Sequence, residues 1–139
     1  MLIRESEGLQ LIPYLCPTGH LTVGYGHRTD RRTAISIQDA NGWLELDIEV
    51  ARRGVGDEAA SKCNTNQLAA VLSLVFNVGV SAFTTSTTYR MLRAGRMDEV
   101  ATRFPKWNKG RVANQLQVIP GLVIRREAEQ TLFLCDRDF

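Results

Sequence analysis

EGLQLIPYLCPTGHLTVGYGH, residues 7–27, gathers an acid (Glu7), a thiol (Cys16), a hydroxyl (Thr22) and a Gly-x-Gly-His turn ending at His27 into one short run. The run also changes its hydrophobic rhythm part-way, and that change sets the fold class. Upstream, Leu2, Ile3, Ser6 and Leu9 lie on one helical face, with Ile3, Glu7 and Leu11 spaced by four along another strip. That spacing predicts a short helix over Leu2–Leu11. Pro13 stops it, because the residue before a proline is pushed out of the helical region. Glu7 therefore belongs near the helix end, at the margin of its apolar face. Downstream, Leu21, Val23 and Tyr25 alternate with Thr22, Gly24 and Gly26, the period of two of a strand. Pro17-Thr18-Gly19 suits a turn between strands. A small antiparallel sheet is expected over residues 14–30.

Beyond the sheet the chain reads as helices. Ser36 is a good N-cap, with Asp39 three residues on in a near capping box. The helix it opens is expected to run over Ile37–Arg53 and stop at Gly54. Its inward stripe is Ala40, Leu44, Asp47 and Ala51, with Ile48 beside it. An aspartate on an apolar stripe needs a partner, since a lone buried charge is costly. Asn64–Val78 is apolar at helical spacing through Leu68, Val71, Leu72, Val75 and Phe76, and Gly79 suits a C-terminal stop. Thr84–Thr88 is a hydroxyl-rich cap region. Tyr89–Ala94 and Met97–Phe104 read as short helices around Gly95. Pro120 suits the first turn of a last helix reaching Cys135. The expected class is α+β, mainly α, with one small sheet near the front and no internal repeat.

A chain of 139 residues holds one domain, or two small lobes sharing one core. The net charge of +2 is mild, and no basic tract carries interleaved aromatics, so nucleic acid is not an expected partner. The charge suits an anionic surface such as a bacterial wall. No apolar run approaches the length of a membrane span, so no stable membrane insertion is expected. MLIRESEG is too short and too charged for a signal peptide, so the protein is expected either to work in the cytoplasm or to leave it by a route other than a cleaved signal. Cys16, Cys63 and Cys135 are odd in number and widely spaced, which argues against a disulfide framework. Cys63 and Cys135 read as ordinary buried or partly buried thiols. His20 and His27 do not sit at metal-ligand spacing with the cysteines, so no metal or other cofactor is expected. His20 reads as a turn residue.

A carboxyl at an apolar margin, with a second polar group able to act on water, is a donor set for cleaving a glycosidic bond. The acid must keep its proton near neutral pH, which partial burial favours. Glu5 has neighbours similar to those of Glu7, and periodicity alone does not choose between them.

The pattern Glu-Gly-Leu-x-Leu-x-x-Tyr from Glu7, followed by Cys16, Pro17, Gly19, Thr22, Val23, Gly24, Gly26 and His27, resembles the phage-type lysozymes, glycoside hydrolase family 24. The family signature is Glu, eight residues, Asp or Cys, five residues, Thr; here it is met without a gap by Glu7, Cys16 and Thr22. Later pieces follow in the family's order: Phe76-Asn77-Val78-Gly79, Phe83 with Ser86-Thr87, Trp107-Asn108, Gly121-Leu122 and Arg125-Arg126-Glu127. The resemblance thus covers nearly the whole chain. It implies a bilobal lysozyme-like fold. The single domain 1–139 would have a β-containing lobe at about 13–35, a bridging helix at about 36–54, and a helical lobe from 1–12 and 55–139.

The resemblance also implies roles. Glu7 would be the general acid, and Thr22 with Cys16 would position the attacking water. Asn77, Gly79, Ser86 and Arg125 would contact substrate, although Arg125 or Arg126 pairing with Glu129 on the helix surface is an alternative. His27 would pair with a carboxylate on the bridging helix, and Asp47 on its stripe is the obvious partner. The implied substrate is peptidoglycan, cut between N-acetylmuramic acid and N-acetylglucosamine by a monomer that reaches the wall after holin-type release. Cys16 stands where many relatives carry Asp. An unperturbed thiol is mostly neutral at pH 7, so it is a weaker general base than a carboxylate but, once ionised, a strong nucleophile. Two other readings follow from that departure: a lytic transglycosylase using Glu7 alone, and a non-catalytic wall-binding module.

Overall fold

The structure, a computed structural model, describes residues 2–8, 10–15, 21–25, 27–28 and 36–136. They divide into two compact units, one drawn from residues 1–49 with 110–117 and the other from 50–109 with 118–139. The division falls inside a single helix. Residues 2–8 share the unit of the sheet, not that of the later helices with which the sequence reading grouped them.

In the first unit α1 spans Leu2–Glu7, four residues shorter than its periodicity suggested. Gly8 ends it, with φ +66° and its N–H still bonded to the Arg4 carbonyl at 2.9 Å. That left-handed conformation costs a residue with a Cβ roughly 1–2 kcal/mol, so glycine stops the helix before Pro13 can act. The chain then enters β1 (Gln10–Leu15), β2 (Leu21–Gly24) and β3 (His27–Arg28), an antiparallel sheet in that order. Tyr14 pairs with Thr22 and Leu15 with Leu21, and the register slips before Gln10 meets Gly24. Pro13 falls inside that slip, on an edge strand, where a missing N–H breaks no ladder. The expected turn at 17–19 lies outside the described residues.

The helix α2 spans Ile37–Val55. The Ser36 hydroxyl accepts from the Asp39 N–H at 3.0 Å, and the Asp39 carboxylate accepts from the Ser36 N–H at 3.4 Å, completing the capping box. Ala40, Leu44 and Ala51 are buried as the stripe requires. Gly54 is not the stop: the helix runs through it to Val55, and Gly56, at φ +85°, follows. Gly54 is instead a point of close approach. A Cβ there would sit 2.4 Å and 2.7 Å from the two γ-methyls of Val80. Valine is stiff at χ1 and cannot swing both methyls away. Gly54→Ala is therefore expected to lower stability by about 1–3 kcal/mol, the overpacking penalty outweighing alanine's helix-propensity gain of up to about 1 kcal/mol. The urea midpoint at constant m-value checks this, and a raised midpoint would refute the close packing.

The second unit holds the main core. Its helices are α3 (Asp57–Ser61), α4 (Thr65–Val78), α5 (Val80–Thr84), α6 (Thr87–Arg93), α7 (Met97–Arg103) and α8 (Pro120–Phe133), with a 3-10 turn at Phe104–Lys106. Asn64 and Gln67 cap α4 reciprocally, at 2.8 Å and 2.9 Å. Gly79 closes it at φ +95°, its N–H donating to the Val75 carbonyl. Ala70, Val71, Leu74 and Val75 are fully enclosed, and α8 packs against this helix. The rings of Phe104 and Phe133 meet at 5.3 Å between centroids. The Tyr89 hydroxyl donates to the Val55 carbonyl at 2.6 Å, satisfying an acceptor at the open end of α2.

A second, two-stranded sheet was not expected from the sequence. The strands β4 (Lys109–Val112) and β5 (Gln115–Val118) are joined by Ala113 and Asn114, both left-handed at φ 51° and 65°. Two such residues in succession make the tight turn that matches strand twist.

Candidate active site

Glu7 is the last residue of α1, and its side chain is partly buried. Three contacts fix the helix that carries it. Ile3 is enclosed, the Arg4 guanidinium donates to Asn41 Oδ1 of α2 at 3.3 Å, and the same guanidinium lies 5.5 Å from the centre of the Tyr25 ring. Thr22 sits on the middle strand of the sheet, paired with Tyr14 on one side and Arg28 on the other. Both belong to the first unit. Cys16 and His20 lie outside the described residues, and so does the side chain of Glu5.

In the same unit, His27 Nδ1 lies 2.6 Å from Asp47 Oδ2, joining β3 to α2. The aspartate on the inward stripe of α2 thus has its partner. The imidazole also packs on Trp43, with ring centres 4.8 Å apart. The sequence reading did not single out Trp43, though its position one turn before Asp47 on the same helix face is a signal that could have found it. His27 and Asp47 are about one-third exposed, at 31% and 30%, so water screens the pair. Asp47→Asn is expected to lower stability by about 1 kcal/mol, towards the low end for a charge-assisted bond. A thermal melt reads it, and an unchanged melting temperature counts against the pair.

The other expected residues lie in the second unit. Asn77 is near the end of α4 and partly buried, and Gly79 is exposed at its stop. The Ser86 hydroxyl donates to the Phe83 carbonyl at 2.6 Å and accepts from the Tyr89 N–H at 3.2 Å, so its one proton serves the start of α6. Arg125 requires a correction. Expected to contact substrate, it is only 6% exposed. Its guanidinium donates to the Ser73 carbonyl at 3.2 Å and to Glu129 Oε2 at 3.4 Å. Nor does the pairing with Glu129 lie on the surface. Arg126 Nε reaches Glu129 Oε1 at 2.6 Å, and Ser73 Oγ donates to Glu129 Oε2 at 2.5 Å, all of it enclosed between α4 and α8. Burial pushes the Glu129 carboxyl above its ordinary value, against the opposing pull of Arg126, Ser73 and Arg125.

Cys63 and Cys135 are partly buried, and burial pushes the Cys63 thiol above its ordinary value. Among the described residues no cluster of His, Cys, Asp or Glu is arranged to hold a metal, and no helix is long and apolar enough to cross a membrane.

A model of the family described as phage lysozyme matches residues 4–129, from within α1 to within α8. The chain belongs to the phage lysozyme family. Lysozymes are glycoside hydrolases, so the enzyme class follows from membership. An endolysin of Acyrthosiphon pisum secondary endosymbiont phage 1 is 37% identical over 135 residues, 96% of this chain and 92% of that protein. An endolysin of Bacillus phage PZA is 38% identical over 137 residues, 95% of this chain, which spans about half (52%) of that longer relative. Among solved structures, the muramidase domain of SpmX from Asticaccaulis excentricus superposes with a TM-score of 0.83 at 30% identity, covering 96% of this chain and 92% of that one. The α+β lysozyme-like fold is thus shared with a relative of known structure.

Proposed function

We propose that this phage-lysozyme-family chain is an endolysin that hydrolyses the β-1,4 bond between N-acetylmuramic acid and N-acetylglucosamine in peptidoglycan, lysing the host cell. The observation that carries the reading is local. Glu7 at the C-terminal end of α1 and Thr22 on the middle strand share one compact unit, at the signature's spacing from Cys16. Glu7 is the general acid that protonates the leaving glycosidic oxygen. Thr22, with Cys16, holds the water that attacks the anomeric carbon. Asn77, Gly79 and Ser86 of the second unit contact substrate, Ser86 through its backbone and remaining acceptor capacity. The relatives named endolysin and the muramidase domain of similar fold support the substrate class. The enzyme acts as a monomer, without nucleic acid, and meets the wall after release from the host cytoplasm by a holin-type route.

Product analysis on purified peptidoglycan tests the reading. Hydrolysis leaves reducing N-acetylmuramic acid ends, detected by mass spectrometry after borohydride reduction. Ends in the 1,6-anhydro form would make it a transglycosylase instead. Sedimentation with walls and no soluble product would leave only a binding module.

A further inference from the structure

We propose that the β4–β5 hairpin is a substrate-recognition arm in which Arg111 pairs with the carboxylates of the peptide stems on the glycan strand. The inference rests on the muramidase reading and adds a recognition element to it. Residues 110–117 belong to the compact unit that carries Glu7 and Thr22, although the residues on either side of them belong to the other unit. The ribbon's base is closed by the Ile119 N–H donating to the Asn108 carbonyl at 3.0 Å. Its tip is the two-residue turn of Ala113 and Asn114, at φ 51° and 65°.

The ribbon's surface is not that of a packed sheet. Every residue of β5 is exposed, with Leu116 at 61% and Val118 at 54%. Two-stranded ribbons are marginal in water unless something packs on them. The side chains on offer suit a glycopeptide. Asn114, Gln115 and Gln117 present amides for hydroxyl and acetamido groups, and Leu116 presents an apolar face for a sugar ring. Arg111 is exposed on β4, and among the described residues it makes no ion pair or side-chain hydrogen bond. Peptidoglycan stems carry free carboxylates, whereas the lactyl carboxyl of muramic acid is capped by its amide bond to the stem. A guanidinium fork binds a carboxylate in bidentate fashion. Charge complementarity therefore selects the stem peptide as what Arg111 holds.

The test compares soluble, uncrosslinked peptidoglycan strands with the same strands after carbodiimide-driven amidation of their stem carboxylates. The wild-type enzyme should show a lower KM on the untreated strands. Arg111→Gln should narrow the ratio of the two KM values by about fivefold, the size of an exposed charge pair near 1 kcal/mol, with kcat on untreated strands retained. Arg111→Lys should keep part of the ratio, and melting temperatures of all three proteins establish that they are folded. An unaltered ratio in Arg111→Gln, or an equal change of KM on both substrates, overturns the inference while leaving muramidase activity intact. A wild-type enzyme that opens neither substrate defeats the muramidase reading itself, and this inference with it.

Discussion

Glu7→Gln is expected to reduce turnover of peptidoglycan by roughly a hundredfold to ten-thousandfold, the range for losing a positioned general acid. The amide has nearly the shape of the acid, and it keeps a carbonyl acceptor. It has no proton acidic enough to give to a departing sugar oxygen. The loss should fall on kcat, because proton transfer develops only in the transition state, while KM stays close to the wild-type value. Release of soluble reducing ends from purified walls measures kcat. A melting curve on the same sample separates lost chemistry from lost fold. Glu5→Gln serves as the comparison that periodicity alone could not decide, since both glutamates lie on α1. Full-speed digestion by folded Glu7→Gln would falsify the assignment and return the choice to Glu5 or to a different mechanism.

Much of the fold is legible in local pattern because several elements carry their own start and stop signals. The helix α4 announces itself by Asn64 with Gln67 at one end and Gly79 at the other, with a continuous apolar face between. The same holds for Ser36 with Asp39 and for Pro120 at the start of α8. The failures have a common physical cause, which is that the deciding neighbour is remote in sequence. Gly54 looks like a terminator until Val80 is seen pressing on it. Arg125 looks like a surface cation until Ser73, far back on α4, is seen accepting from it. The β4–β5 ribbon left too little apolar alternation to be read, because β5 is exposed throughout and its turn is Ala-Asn without a glycine. The His27–Asp47 contact was legible for the opposite reason, since the aspartate on the α2 stripe demanded a partner before His27 was seen beside it. The Glu7, Cys16 and Thr22 spacing is a local motif of the sequence, with Cys16 outside the described residues.

Glu129→Ala is expected to destabilise the protein by about 3–5 kcal/mol, the penalty for removing one member of a buried ionic group. It would leave Arg126, fully enclosed, and Arg125, nearly so, facing each other without the carboxylate both reach. In a chain of this size the melting temperature should fall by roughly 10–15 °C. Ser73 Oγ would lose its acceptor as well. Recovery of much of the lost stability when Arg125, Arg126 and Glu129 are replaced together by Met, Met and Leu would locate the damage in the buried guanidinium charges left without the carboxylate, since packed apolar groups commonly match a buried ion cluster. Acid behaviour gives an independent check, and its sign is unusual. The folded carboxyl of Glu129 binds its proton more tightly than the unfolded one, whose ordinary value is 4.5. Its contribution to stability is therefore fully present below 4.5 and declines as pH rises through the raised folded value, opposite to a carboxylate that ionises early in the fold. Glu129→Gln, which cannot ionise, should lack that declining component when urea unfolding is followed from pH 4 upward. Parallel stability profiles for the two proteins would mean that burial does not dominate at this carboxyl.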